Sequence, residues 1–122
     1  MRAKLHGLTV TKADLEYEGS FGIDQDIMER LEILPFEAVE IYNISSGQRL
    51  KTYAIPLARG SREFQSNGAA AHLIKKGDRV IVACYCRLNE QEILKFDGPK
   101  VAIFNKRNEI QQFYQQAPQK IA

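Results

Sequence analysis

Apolar residues along the chain recur in short alternating runs bounded by turn-forming residues, a pattern that predicts strands. Segments 8–11, 38–44, 50–57, 79–86 and 100–104 are rich in β-branched or aromatic side chains. Ser45-Ser46-Gly47, Lys76-Gly77-Asp78, Asp97-Gly98-Pro99 and Lys106-Arg107-Asn108 separate them. Ser46-Gly47 is expected to join two neighbouring strands as a hairpin. Lys4 and His6 alternate with Leu5 and would share one face of an extended segment. Two short helices are expected. Asp24 caps one that carries Ile27, Met28 and Leu31 on a single face. Asn67 opens another through 69–73, ending at Gly77. The polar run from Gln111 to Gln116 has no core pattern, so about 106–122 is expected to be a flexible tail. Many short strands with few helices read as one mainly β domain over 1–122, a small barrel or sandwich.

Composition narrows the class. The chain has 122 residues, 44% hydrophobic and 26% charged, ordinary for one globular domain with a modest core. A net charge of +2 is too small to imply nucleic acid or a membrane surface. The longest apolar stretches fall far short of the ~20 residues that span a bilayer. Met1–His6 has no long apolar region behind its basic residues and does not read as a secretory signal, so the cytoplasm is the expected compartment. Cys84 and Cys86 are the only cysteines. Two apart on a predicted strand, they read as small buried thiols. With His6 and His72 standing alone in sequence, no metal site is expected.

Chemistry gathers at Gly19-Ser20, within Tyr17-Glu18-Gly19-Ser20 and just before Ile23-Asp24-Gln25-Asp26. A serine hydroxyl can attack the carbonyl preceding it and shift the chain from amide to ester. An unstrained amide resists this, so the step needs a distorted backbone and a donor to the developing oxyanion. Glycine before the serine tolerates unusual dihedrals and close approach. Elimination of the ester leaves dehydroalanine, and hydrolysis with loss of ammonia yields a pyruvoyl group. The ordinary alternative is a plain loop leading into the Asp24 helix.

Other segments supply what that chemistry lacks. Thr52 offers a hydroxyl to the Gly19 carbonyl. Tyr53 carries a phenol able to protonate a carbanion-like centre; its ordinary alternative is a core aromatic. Adjacent strand residues face opposite ways, so both serve one site only where the strand twists or ends near it. Arg49 presents a planar fork suited to a carboxylate, or is simply an exposed strand arginine. The face shared by Lys4 and His6 is either solvent or a second carboxylate-binding wall. Asn67-Gly68-Ala69-Ala70-Ala71-His72 has no bulky group before His72 and can expose backbone N–H groups to an anion, or can be a turn into a tightly packed helix.

Taken together, these segments resemble the pyruvoyl-dependent L-aspartate 1-decarboxylase family. The match runs from Lys4-Leu5-His6 through Thr11, Ala13-Asp14-Leu15, Tyr17–Ser20 and Ile23–Asp26. It continues through Gly47, Arg49, Thr52-Tyr53-Ala54, Arg59-Gly60, Asn67–His72 and Gly77-Asp78, nearly the whole chain to about Phe104. The resemblance implies a six-stranded double-psi β-barrel with short helices, assembled as a homotetramer with active sites between subunits. It implies self-cleavage between Gly19 and Ser20 into a β chain, 1–19, and an α chain, 20–122, capped by a pyruvoyl group derived from Ser20 and needing no metal. L-Aspartate would form a Schiff base there, lose its α-carboxylate and leave as β-alanine, destined for pantothenate. By the same resemblance, Thr52 assists the ester shift and contacts substrate, and Tyr53 is the proton donor. Gly68, Ala69 and Ala70, with Asn67, form the substrate-binding segment, and Arg49 and Lys4 its charged wall. Phe21-Gly22 departs from the smaller or β-branched residues expected after the serine, which points to slow or partner-assisted processing by a maturation factor. The competing reading is a small β-barrel module that binds nucleic acid or protein, supported by mild basicity and scattered aromatics.

Overall fold

The computed structural model describes residues 1–115. Nine strands and three short helices follow one another in this order: β1 (Ala3–Thr9), β2 (Lys12–Asp14), β3 (Phe21–Asp24), α1 (Gln25–Arg30), β4 (Ala38–Asn43), β5 (Arg49–Leu57), β6 (Phe64–Asn67), a 3-10 helix (Gly68–His72), β7 (Arg79–Cys84), α2 (Glu90–Leu94), β8 (Lys100–Phe104) and β9 (Ile110–Gln115). The mainly β expectation holds. The strands form one sheet in the order β2-β6-β3-β5-β4-β7-β1-β8-β9, so the described residues make nine strands with open edges, not a closed ring of six. The two ends of that order are nevertheless tied by the chain itself. Only Val10 and Thr11 separate β1 from β2, and they bond to Asp78 and Phe64 on the way across. The sheet must therefore curl strongly.

Inward-facing residues explain why it curls around one core. Leu5 and Leu8 of β1, Val39 and Ile41 of β4, and Val80 and Val82 of β7 are all buried. Between Leu5 and Leu8 the β1–β7 register shifts, at Gly7 with φ +79°, so that both leucines face inward. Phe64 stands at the centre, with its ring 6.5 Å from Phe21 and 5.5 Å, edge-on, from Phe104. α1 closes one end through Ile27 and Met28. Its cap is Asp24, whose carboxylate accepts from Asp26 N at 2.9 Å, Gly60 N at 3.1 Å and Arg62 N at 2.8 Å. That one buried side chain fixes the end of β3 and the loop after β5 together.

Three expectations are corrected here. The stretch after Ser20, readable as a plain loop, is strand β3, buried along its whole length between β5 and β6. A strand covered on both faces shows no polar alternation, which hides it in the sequence. The polar run expected to fray forms β9, antiparallel to β8, with the Arg30 guanidinium 4.5 Å above the Phe113 ring. The rest of the expected tail, 116–122, lies outside the described residues. Finally, β7 ends at Cys84, so Cys86 is exposed and only Cys84 is buried. Burial pushes the Cys84 thiol up to about 12. A thiol reagent at about pH 8 should therefore modify Cys86 in the native protein and reach Cys84 only after unfolding, as peptide mapping of the adducts would show.

Candidate active site at the Gly19-Ser20 step

Strand register builds this site. β3 runs parallel to β5, pairing Phe21 with Ala54, and antiparallel to β6, pairing Phe21 with Ser66. One residue before Phe21, Ser20 is flanked by Tyr53, one step back along β5, and by Asn67, one step on along β6. Asn67 N donates to the Ser20 carbonyl at 3.1 Å, and Asn67 Nδ2 donates to Ser20 Oγ at 3.0 Å. Ser20 is 1% exposed, so its hydroxyl is held by one buried amide, away from bulk water. Asn67 Oδ1 is buried as well and has no partner, which leaves an acceptor free at the same point.

The backbone here is strained. Gly19 has φ +97° and Ser20 φ +93°, two successive left-handed values across the bond in question. For glycine this costs little, but for serine it costs on the order of 1–2 kcal/mol. A tight turn brings Gly19 N to the Tyr17 carbonyl at 2.8 Å. Gly68, φ +63°, packs against that turn so closely that an added Cβ would lie 2.7 Å from Gly19 N and 2.8 Å from the Tyr17 carbonyl oxygen. The absence of a side chain at Gly68 therefore lets the 3-10 helix pack directly on the Gly19 turn.

A cleft of about 260 Å³ opens beside Ser20. Gly19, Thr52, Tyr53, Asn67, Ala69 and Ala70 all line it, so the structure brings together most of the residues singled out in the sequence. Tyr53 Oη reaches the Glu18 carbonyl at 3.5 Å, the outer limit of a hydrogen bond, and its ring leans on Phe36 at 6.2 Å. A second hollow on the other side of Ser20 is lined by Tyr17, Glu18, Phe36, Tyr53 and Ile55. Thr52 stands in the first cleft with Gly19 and Ser20, but the hydrogen bond expected from it to the Gly19 carbonyl is not among those the described residues make. Leu50, Lys51 and Leu73 complete the lining and had not been singled out. The period-2 alternation Arg49, Lys51, Tyr53 was the available signal for Lys51.

Arg49 and Lys4 lie elsewhere in this chain. Arg49 stacks over the Tyr42 ring at 4.3 Å and lines a separate hollow with Gly47 and Gln48. Lys4 stands opposite Ala83 on β7, beside His6 opposite Ile81. Burial, then the positive charges of Lys4 and Arg79, hold His6 below its usual pKa. Cross-strand pairing continues Lys4 to Ala83, Glu40 and Lys51, and His6 to Ile81, Tyr42 and Arg49. These two rows share one face of the sheet with Tyr53. Phe21 and Gly22 have local packing reasons: the Phe21 ring points into the core, and an added Cβ on Gly22 would meet the Leu57 side chain at 2.8 Å.

Ser20 is thus buried on a left-handed backbone beside a cleft that Thr52 and Tyr53 also line. The aspartate decarboxylase family model matches residues 1–111. This chain belongs to the aspartate decarboxylase family. It is 46% identical over 112 residues to the aspartate 1-decarboxylase of Cupriavidus necator, covering 92% of each chain. It is 49% identical over 110 residues to that of Phenylobacterium zucineum, covering 90% of this chain and 92% of the relative. The aspartate 1-decarboxylase of Maricaulis maris is 48% identical over 110 residues, 90% of each chain. No helix among the described residues is long and apolar enough to cross a membrane.

Proposed function

We propose that this family member is an aspartate 1-decarboxylase that cuts itself between Gly19 and Ser20 and then converts L-aspartate to β-alanine and carbon dioxide, for pantothenate biosynthesis in the cytoplasm. The observation that carries this reading is the pair of left-handed backbone values at Gly19 and Ser20, with Ser20 Oγ held by the Asn67 amide. Strain raises the ground state of the bond to be broken, and cleavage releases it. Ser20 Oγ attacks the Gly19 carbonyl carbon, the amide nitrogen becomes the leaving group, and an ester replaces the peptide bond. Asn67 Nδ2 steadies the oxygen that attacks, and Thr52 is the group at hand for the oxyanion once the carbonyl pyramidalises.

The residues fit a pyruvoyl group at position 20. Asn67 Nδ2 supplies a donor there, and Ala69 and Ala70 leave the approach clear of bulky side chains. A pyruvoyl carbonyl supplies an electrophile for the substrate amine and a sink for the electrons that the departing carboxylate leaves behind. Tyr53 borders both hollows beside Ser20 and is the proposed donor of the proton to the α-carbon. Gly68, Ala69 and Ala70, with Asn67, bind substrate through main-chain and amide groups.

The proposal extends to a double-psi barrel assembled as a homotetramer. The strong curl between β1 and β2 supports the barrel. Placement of Arg49 and Lys4 outside the cleft of their own chain supports sites shared between subunits, where each would complete a neighbour's charged wall. Family membership favours the enzyme over a binding module. Release of carbon dioxide from L-aspartate by purified protein, with β-alanine in equal amount, is the expected result. A fully cleaved preparation that releases none would refute the activity.

A further inference from the structure

We infer that Phe36 is a positioning residue for Tyr53, its ring holding the phenol at the hollow beside Ser20. This inference rests on the proposed role of Tyr53 as proton donor in the decarboxylation. Backbone geometry singles Phe36 out. Leu34 to Glu37 form a tight turn, closed by Glu37 N donating to the Leu34 carbonyl at 3.1 Å, with Pro35 second and Phe36 third. Phe36 has φ +67°, and at the third position of such a turn glycine or asparagine fits without strain. It is the only aromatic among the described residues with a positive φ, an outlier for so bulky a side chain. Phe36 also stands outside the core of its own chain, at 76% exposed. Neither backbone preference nor core packing accounts for it.

Its contacts do. The Phe36 ring lies 6.2 Å from the Tyr53 ring, tilted by 35°, and both border the hollow of about 310 Å³ that Ser20 also lines. Phe36 N donates to the Ala54 carbonyl at 2.8 Å, and Ala54 N donates to the Glu37 carbonyl at 2.9 Å. The turn is thus fastened to β5 at the residue next to Tyr53. The phenol needs such support. Among the described residues its one hydrogen bond is the long one to the Glu18 carbonyl, and Glu18 lies on the fragment that cutting before Ser20 would release. Phe36 stays on the same fragment as Tyr53. Its ring therefore limits the swing of the Tyr53 ring in the processed protein, wherever the Glu18 segment then settles.

Steady-state kinetics of the cleaved protein in water and in deuterium oxide, beside thermal melts and denaturing gels, test this. Phe36→Gly suits the backbone and removes the ring. It should melt no lower than the wild type, cleave itself as fully and keep KM for L-aspartate, while kcat falls about tenfold. The solvent isotope effect on kcat should rise, because delivery of the phenolic proton to the α-carbon becomes limiting. Phe36→Tyr keeps the ring and should keep kcat within about twofold of the wild type. An active wild type matched by Phe36→Gly in kcat and isotope effect overturns this assignment alone. So does a fall in rate accompanied by a lower melting temperature or incomplete cleavage, which would mark Phe36 as structural. A cleaved wild type that releases no carbon dioxide overturns the proposed function and this assignment with it.

Discussion

Ser20→Ala is expected to leave the chain uncut and to abolish release of carbon dioxide from L-aspartate. Alanine removes the oxygen placed to attack the Gly19 carbonyl, and with it the ester whose elimination gives the dehydroalanine that hydrolyses to pyruvoyl. The fold should survive. Ser20 contributes one side-chain hydrogen bond, from Asn67, and its loss leaves a buried amide short of a partner at a cost of about 1–3 kcal/mol. Relief of side-chain strain at φ +93° does not follow, because alanine is no more tolerant of that conformation than serine. A single band at full length on a denaturing gel, with a cooperative melt, is the expected combination. Two fragments from Ser20→Ala would remove the serine from the chemistry altogether.

Gly68→Ala should be nearly as damaging, for a different reason. The position has φ +63°, and its new Cβ would lie 2.7–2.8 Å from main-chain atoms of Gly19 and Tyr17, which are not free to rotate away. The Gly19 turn or the 3-10 helix must move. We expect the cleaved fraction at a fixed time to fall by at least about tenfold and stability to drop by about 2–4 kcal/mol. Gly77→Ala is the control. Gly77 has φ +92° with nothing within 4 Å of the new Cβ, so only the backbone cost applies, about 1–2 kcal/mol, with cleavage unaffected. Equal processing in the Gly68 and Gly77 variants would mean that pressure on the Gly19 turn is not part of the device.

Much of this was legible beforehand, for identifiable reasons. β4, β5 and β8 stand where β-branched and aromatic runs predict them, and Gly47, φ +81°, turns the hairpin between β4 and β5. Asp24 caps α1 as its side chain suggests. β3 was hidden because burial on both faces erases alternation, and β6 because it buries Ser66 and Asn67, whose side-chain bonds to Ile74 and Ser20 arise only in three dimensions. α2 left a readable trace, since Asn89 and Glu92 form a capping box, but its helix buries nothing and carries no apolar stripe. At the site, the motif residues Gly19, Ser20, Thr52, Tyr53, Asn67, Ala69 and Ala70 converge. Positive φ at Ser20 was not readable, because serine rarely adopts it and the segments that surround it come from distant parts of the chain. Nor was the separation of Arg49 and Lys4 from the cleft, because distance along β5 and across the strands, on the face they share with Tyr53, sets them apart.

The central claim is that the strained bond before Ser20 breaks to give a pyruvoyl terminus, and intact mass spectrometry of the purified protein tests it most directly. The account predicts two species, one with the mass of residues 1–19 and one with the mass of residues 20–122 carrying pyruvoyl in place of serine. Any remaining full-length fraction would measure how far processing depends on a maturation factor. A single full-length species that persists on prolonged incubation with cell extract, or a cut chain beginning with unmodified serine as its end state, would contradict the account.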